Sequence, residues 1–240
     1  GDFMLKKEVE KILQYVQKPG RYSGGELNSV IKDPEKVDIR YAFCFPDTYE
    51  IGMSHLGMKI LYGLVNERDD AWCERVFAPA LDMEELMRKN NIPLFALESG
   101  DYIKNFDLIG FTLQYELSYT NILNMLDLAG VPLYSKDRTE LAPLVCVGGP
   151  CACNPEPIAD FCDLVFLGDG EDSTNQVLDL LKECKHAGKS KQYFLSKAKD
   201  IRGVYVPSFY VDSYNNDGTL KELKPINGAP EKVKKAVVSD

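Results

Sequence analysis

Asp107-Leu-Ile-Gly-Phe-Thr-Leu113, followed from Ser118 by a stretch carrying Ile122, Leu123, Met125, Leu126 and Leu128, decides the fold. The first run is apolar at successive positions, as expected of a strand covered on both faces. The second repeats its apolar residues at helical spacing, with Ser118 as the expected N-cap and Gly130 and Pro132 as stop signals. A buried strand that feeds a helix through a short loop is the unit from which parallel sheets are built.

The same unit recurs on either side. Upstream, Ile39–Phe45 reads as a first strand and Pro46–Gly52 as a loop. A helix is expected from about Ser54 to Asn66, with Ile60, Leu61, Leu64 and Val65 on one face. Trp72–Phe77 is a candidate second strand, and the segment Leu81–Lys89 carries Leu81, Met83, Leu86 and Met87 at helical spacing. Downstream, Leu144–Val147 reads as the fourth strand, and Cys162–Leu167 as the fifth. The fifth turns through Gly168-Asp-Gly170 into a helix bearing Val177, Leu178, Leu180, Leu181 and Cys184. The expected fold is therefore α/β: a flavodoxin-like, Rossmann-type parallel sheet of five strands in the order 2-1-3-4-5.

Around this sheet the chain divides into three expected regions. Residues 1–35 read as a helix (about Lys6 to Gln17) and a Gly/Ser/Asn-rich arm from Pro19 to Ser29. Residues 36–188 form the α/β domain. Residues 189–240 form a C-terminal extension in which Tyr205-Val206, then Phe209–Tyr214 and Leu220–Leu223 around Asn215-Asn-Asp-Gly218, suggest a β-hairpin, and which leads toward a further domain.

Composition narrows the function. The 240 residues carry 28 Lys and Arg against 37 Asp and Glu, a net charge of −9 that disfavours a nucleic-acid partner. No apolar run reaches the roughly 20 residues that span a bilayer, and Lys6, Glu8 and Glu10 break the pattern of a secretion signal. The cytoplasm is the expected location. The seven cysteines are odd in number, which suits reduced thiols better than a disulfide framework. Cys151 and Cys153 stand one residue too close for the usual Cys-x-x-Cys pair, and no metal site is expected.

In such a sheet, chemistry sits in the loops after the strands, here Pro46–Ser54, Gln114–Ser118, Gly148–Pro157 and Gly168–Glu171. His55 is the only histidine near this edge, and Asp47, Glu50 and Glu116 are the carboxylates that could work with it as an independent small-molecule enzyme. No phosphate-binding Gly-rich loop ending in Lys-Ser/Thr, no nucleophile elbow and no dinucleotide fingerprint is present.

Arg21-Tyr-Ser-Gly-Gly-Glu26, Phe45-Pro-Asp-Thr-Tyr-Glu50, Gly52-Met-Ser-His-Leu-Gly57 and Leu113-Gln-Tyr-Glu-Leu-Ser-Tyr-Thr-Asn121 go together with Gly148-Gly-Pro150, Asn154-Pro-Glu-Pro157 and Gly168-Asp-Gly-Glu171. In these motifs the chain resembles the N-terminal cobalamin-binding-like domain of an uncharacterised radical S-adenosylmethionine (radical SAM) family. The resemblance implies a flavodoxin-like domain that holds a corrinoid edge-on at the strand ends. It implies cofactor contacts from Asp47, Thr48, Tyr49, Glu50, Gly52, Ser54 and His55 in the first loop. Thr112, Gln114, Tyr115 and Glu116 follow from the second, Gly148, Gly149 and Pro150 from the third, and Gly168, Asp169, Gly170 and Glu171 from the fourth. Cobalamin domains supply a cobalt-ligating histidine from Asp-x-His-x-x-Gly; around His55 the flanking positions are Met53 and Met58, so the histidine ligand does not carry over. The radical signature, Cys-x-x-x-Cys-x-x-Cys, is absent from the chain. The resemblance thus implies an accessory module, with the iron–sulfur cluster and S-adenosylmethionine held by a downstream domain. A degenerate scaffold that binds no ligand is the alternative.

Overall fold

The computed structural model describes residues 6–238. Five parallel strands stand in the expected order, and a sixth is added: β1 (Ile39–Phe45), β2 (Ala71–Phe77), β3 (Leu108–Thr112), β4 (Leu144–Gly148), β5 (Leu164–Phe166) and β6 (Val204–Tyr205) form one sheet ordered β2-β1-β3-β4-β5-β6. β6 runs antiparallel to β5, with Val165 opposite Tyr205. Tyr205, expected with Val206 in the C-terminal hairpin, belongs to the sheet instead; at two residues β6 is too short for its partner to be read from periodicity. The sheet order reverses between β1 and β3, which pair with Phe43 opposite Gly110.

The described residues form seven α-helices: α1 (Lys7–Leu13), α2 (Tyr49–Ser54), α3 (Leu56–Asn66), α4 (Leu81–Asn90), α5 (Tyr119–Ala129), α6 (Glu171–His186) and α7 (Lys191–Ala198). One face packs on α1, α4 and α5 through Val9, Met83, Met87, Ile122 and Met125. The other packs on α3, α6 and α7 through Met58, Val65, Leu178, Leu181 and Phe194. A separate antiparallel hairpin, β7 (Tyr210–Tyr214) with β8 (Leu220–Pro225), follows the sheet.

Several local expectations are corrected. The stretch after β1 is not all loop, because Tyr49–Ser54 winds into α2 before His55 breaks it. The helix after it starts at Leu56 and buries Met58, Tyr62 and Val65, whereas Ile60 is 46% exposed. Positions 58, 62 and 65 share one helical face, and it is this face that meets the sheet. On α4, Met83 and Met87 are buried and Leu81 is exposed. Ser118 does not cap α5; its hydroxyl donates to the Tyr115 carbonyl at 2.7 Å.

Strand β2 is buried throughout although it contains Glu74 and Arg75. Each charge is paired: Glu74 accepts from Arg40, and Arg75 Nε donates to Glu98 Oε1 at 2.6 Å. Burial still pushes the Glu74 carboxyl up to about 7. Asp163 is likewise buried and accepts from Arg138, Ser135, Lys191 and the Val145 amide. Removing one partner from a buried ionic group of this kind is far costlier than replacing the whole set, so these residues fix the strand ends in place.

Candidate functional site

A crevice of ≈ 360 Å³ opens at the C-terminal ends of β1, β3, β4 and β5, on the face covered by α3 and α6. It arises from the two-residue alternation of the strands. The side chains that β3 and β4 turn toward it are small: Gly110 and Thr112 from one, Cys146 and Gly148 from the other. Helices α3 and α6 flank the gap with Leu61 on one side and Gly170 and Thr174 on the other. The crevice therefore lies where strand order reverses, the usual ligand position in open α/β sheets.

Two glycines are required by close approach. A Cβ at Gly110 would stand 2.3 Å from the Tyr41 hydroxyl, so the bare backbone lets Tyr41 lie across the floor. Gly149 has φ +101°, and a Cβ there would meet the Leu113 carbonyl oxygen at 2.8 Å. The loop after β4 can thus fold over the end of β3 only with glycine. Burial drives the Tyr41 hydroxyl well above its usual range and the Cys146 thiol upward, so the floor is uncharged and carries no thiolate nucleophile.

His55 reaches the crevice wall, and its orientation has a definite cause. The Met58 amide donates to Nδ1 at 3.1 Å, capping α3. The neutral ring then holds its proton on Nε2, which is a donor without a free lone pair. A Cβ on Gly57 would come within 3.0 Å of the ring, so this glycine makes room for the imidazole. With Nδ1 taken by the Met58 amide, Nε2 is the ring nitrogen left to meet a ligand.

Ten of the expected site residues line the crevice. They are His55, Thr112 and Gln114, the turn Gly148, Gly149 and Pro150, and the turn Gly168, Asp169, Gly170 and Glu171. Gln114 Nε2 donates to Thr112 Oγ1 at 2.6 Å, which fixes both side chains at the mouth. The turn after β5 is shared with the chain's own C-terminal segment. Ala236 accepts from Asp169 N at 3.1 Å and donates to Leu167 O at 2.8 Å, and Asp169 Oδ2 accepts from Val238 N.

Asp47, Thr48, Tyr49, Glu50, Gly52, Ser54, Tyr115 and Glu116 do not line it. Glu50 is turned toward the N-terminal arm, where Arg21 and Lys18 bind it and the Arg21 guanidinium holds its carboxyl down at about 2. Tyr49 packs edge-on against Phe77, with ring centroids 5.4 Å apart. Asp47 accepts from the Tyr115 hydroxyl at 3.1 Å, and Asn121 Nδ2 donates to the Pro46 carbonyl, so these residues tie the first and second loops together. The carboxylates expected of an independent enzyme are therefore dispersed. Tyr41, Phe43, Cys146 and Phe166 line the crevice without having been foreseen; their signal was the alternate position on each strand, which a continuous apolar run conceals. Among the described residues, no group of three or more His, Cys, Asp or Glu is placed to hold a metal, and no helix is long and apolar enough to cross a membrane.

Comparison with known proteins adds a family. Residues 57–207 match the family model described as radical SAM proteins, N-terminal. The chain is 28% identical over 176 residues to an uncharacterized protein of Methanocaldococcus jannaschii, a span of 72% of this chain and 33% of that protein. The match thus takes in about a third of the relative's length. No solved structure matches.

Proposed function

The chain belongs to the radical SAM N-terminal family, and from that premise we propose that its crevice receives the nucleotide tail of a cobalamin while the corrin ring lies across the rim. The observation that carries this reading is the hollow left between α3 and α6 by the small side chains of β3 and β4. Its ≈ 360 Å³ suits a narrow appendage better than a macrocycle. Apolar side chains project around the first and second loops, with Leu56 68% and Leu117 82% exposed, and they offer a surface for a flat ring.

Within the crevice, Thr112, Gln114 and Thr174 supply polar contacts, and Leu61 and Phe166 supply apolar walls. His55 would offer Nε2 to the bound tail, and no histidine ligand to cobalt would come from it. A bound corrinoid supplies cobalt–carbon bond chemistry; this chain binds it, orients it and excludes water. The role is accessory. The cluster and S-adenosylmethionine belong to a radical domain elsewhere in the full-length protein, in keeping with a relative about three times as long as the matched span.

The experiment is gel filtration after incubation with hydroxocobalamin, read by absorbance. The protein is expected to elute coloured. Gly170 has an ordinary backbone, and a Cβ there would lie 3.5 Å from Leu61, so Gly170→Leu fills the crevice without straining the turn. That variant is expected to elute colourless. Colourless wild-type protein would instead support the ligand-free scaffold.

A further inference from the structure

The arm that carries Arg21-Tyr-Ser-Gly-Gly-Glu26 takes no part in the crevice. It folds against the opposite side of α3. Arg21 binds Glu50 at 2.9 Å, and the Tyr22 hydroxyl accepts from the Ala80 amide at 3.0 Å. Gly24 and Gly25 both have positive φ and turn the chain back, so that Val30 N donates to the Tyr62 hydroxyl and Val30 O accepts from Trp72 Nε1. So anchored, residues 26–30 roof a second cavity of ≈ 500 Å³ above α2 and α3. Its volume lies within the roughly 300–1,000 Å³ of small-molecule sites.

The cavity has apolar walls, among them Val30, Met53 and Met58, and one buried cation, Arg75, whose side chain is only 8% exposed. The guanidinium lies 4.5 Å from the Tyr62 ring centroid. Its Nε donates to Glu98 and its Nη2 to Ser29 Oγ at 2.9 Å, but Nη1 meets only the Met53 sulfur at 3.5 Å. A thioether is a weak acceptor, so a buried guanidinium nitrogen on the cavity side lacks an oxygen partner. Its charge, however, is already balanced by Glu98. The other charged side chains lining the cavity are Glu26 and Lys59, one of each sign.

We propose that this cavity binds a small, uncharged apolar molecule whose carbonyl oxygen accepts a hydrogen bond from Arg75 Nη1. A carboxylate would set a second anion on a guanidinium that Glu98 already satisfies, and an ammonium would face the guanidinium directly. An amide, ester or ketone carbonyl meets the donor and leaves the charge balance intact, while its hydrocarbon part lies against Met53 and Met58. The site is separate from the crevice and does not depend on what the crevice holds.

The test is a titration of the chain, carrying ¹³C-methyl methionine, with hexanamide, hexanoate and hexylamine. Hexanamide is expected to shift the Met53 and Met58 methyl signals saturably. Met83, Met87 and Met125 lie on the other face of the sheet and are expected to stay in place, reporting an intact fold. Gly63 also lines the cavity, and a Cβ there meets nothing within 4 Å, so Gly63→Leu fills the space without touching the ion pair. That variant is expected to bind hexanamide about tenfold more weakly or worse. The absence of a saturable shift with hexanamide would overturn the proposal. So would an undiminished response in Gly63→Leu, or tighter binding of hexanoate or hexylamine.

Discussion

His55 serves the backbone before it serves any ligand. Its Nδ1 takes the Met58 amide, one of the orphan donors at the start of α3, and so the ring cannot turn to present that nitrogen elsewhere. Replacing it with alanine removes the cap and is expected to cost about 1 kcal/mol in urea unfolding. Asparagine, whose side-chain oxygen also caps, is expected to recover most of that loss. Equal stability of the alanine variant and the wild type would mean that the contact contributes nothing. On the proposed reading, in which cobalt takes no histidine ligand from this chain, His55→Asn is also expected to leave the visible spectrum of bound hydroxocobalamin unchanged.

Among the elements, the junction of α3, β2 and α6 is held by Asp70. It accepts from Arg68 Nε at 2.9 Å and from Lys182, joining the end of one helix and the middle of another at the start of the strand. The Arg68 guanidinium, followed by Lys182, holds the Asp70 carboxyl down at about 2, below its ordinary 3.8. The lowered value means that the folded state favours the ionised form. The resulting stability is complete above the unfolded value near 4 and disappears as pH falls through about 2. Asp70→Asn is therefore expected to lose on the order of 1–2 kcal/mol at pH 7 and only a few tenths of a kcal/mol at pH 2, compared by urea titration at both values. A loss of the same size at both pH values would point to packing instead. Nothing in the sequence disclosed this junction, because Arg68, Asp70 and Lys182 are ordinary surface residues until the chain is folded. Strand and helix order, by contrast, was legible, since Asp107–Leu113 and the helix after it have periods that only one layer arrangement buries. Within the site, the glycine turns after β4 and β5 were legible as turns. The direction of the loop after β1 was not, because Tyr49–Ser54 is a helix and Glu50 pairs with Arg21, far from it in sequence. Nor were Tyr41 and Cys146 visible, since strands covered on both faces do not announce which positions border a gap.

At the scale of the whole molecule, the small residues of two central strands leave the hollow, and the chain's last described residues close one side of its rim. Ala236 sits against Gly168, whose Cβ, were there one, would lie 2.1 Å from the Ala236 carbonyl oxygen. Leu56 and Leu117, near the crevice-lining His55, Gly57 and Gln114 in the chain, are exposed. In the proposed complex the ring rests beside these leucines and the appendage reaches down between α3 and α6. The most direct measurement compares hydroxocobalamin with hydroxocobinamide, which has the same ring but lacks the nucleotide tail, by equilibrium dialysis against the protein. Binding of the cobalamin at least about tenfold tighter than the cobinamide is the predicted result. Equal affinity for the two, or retention of neither, would contradict the account.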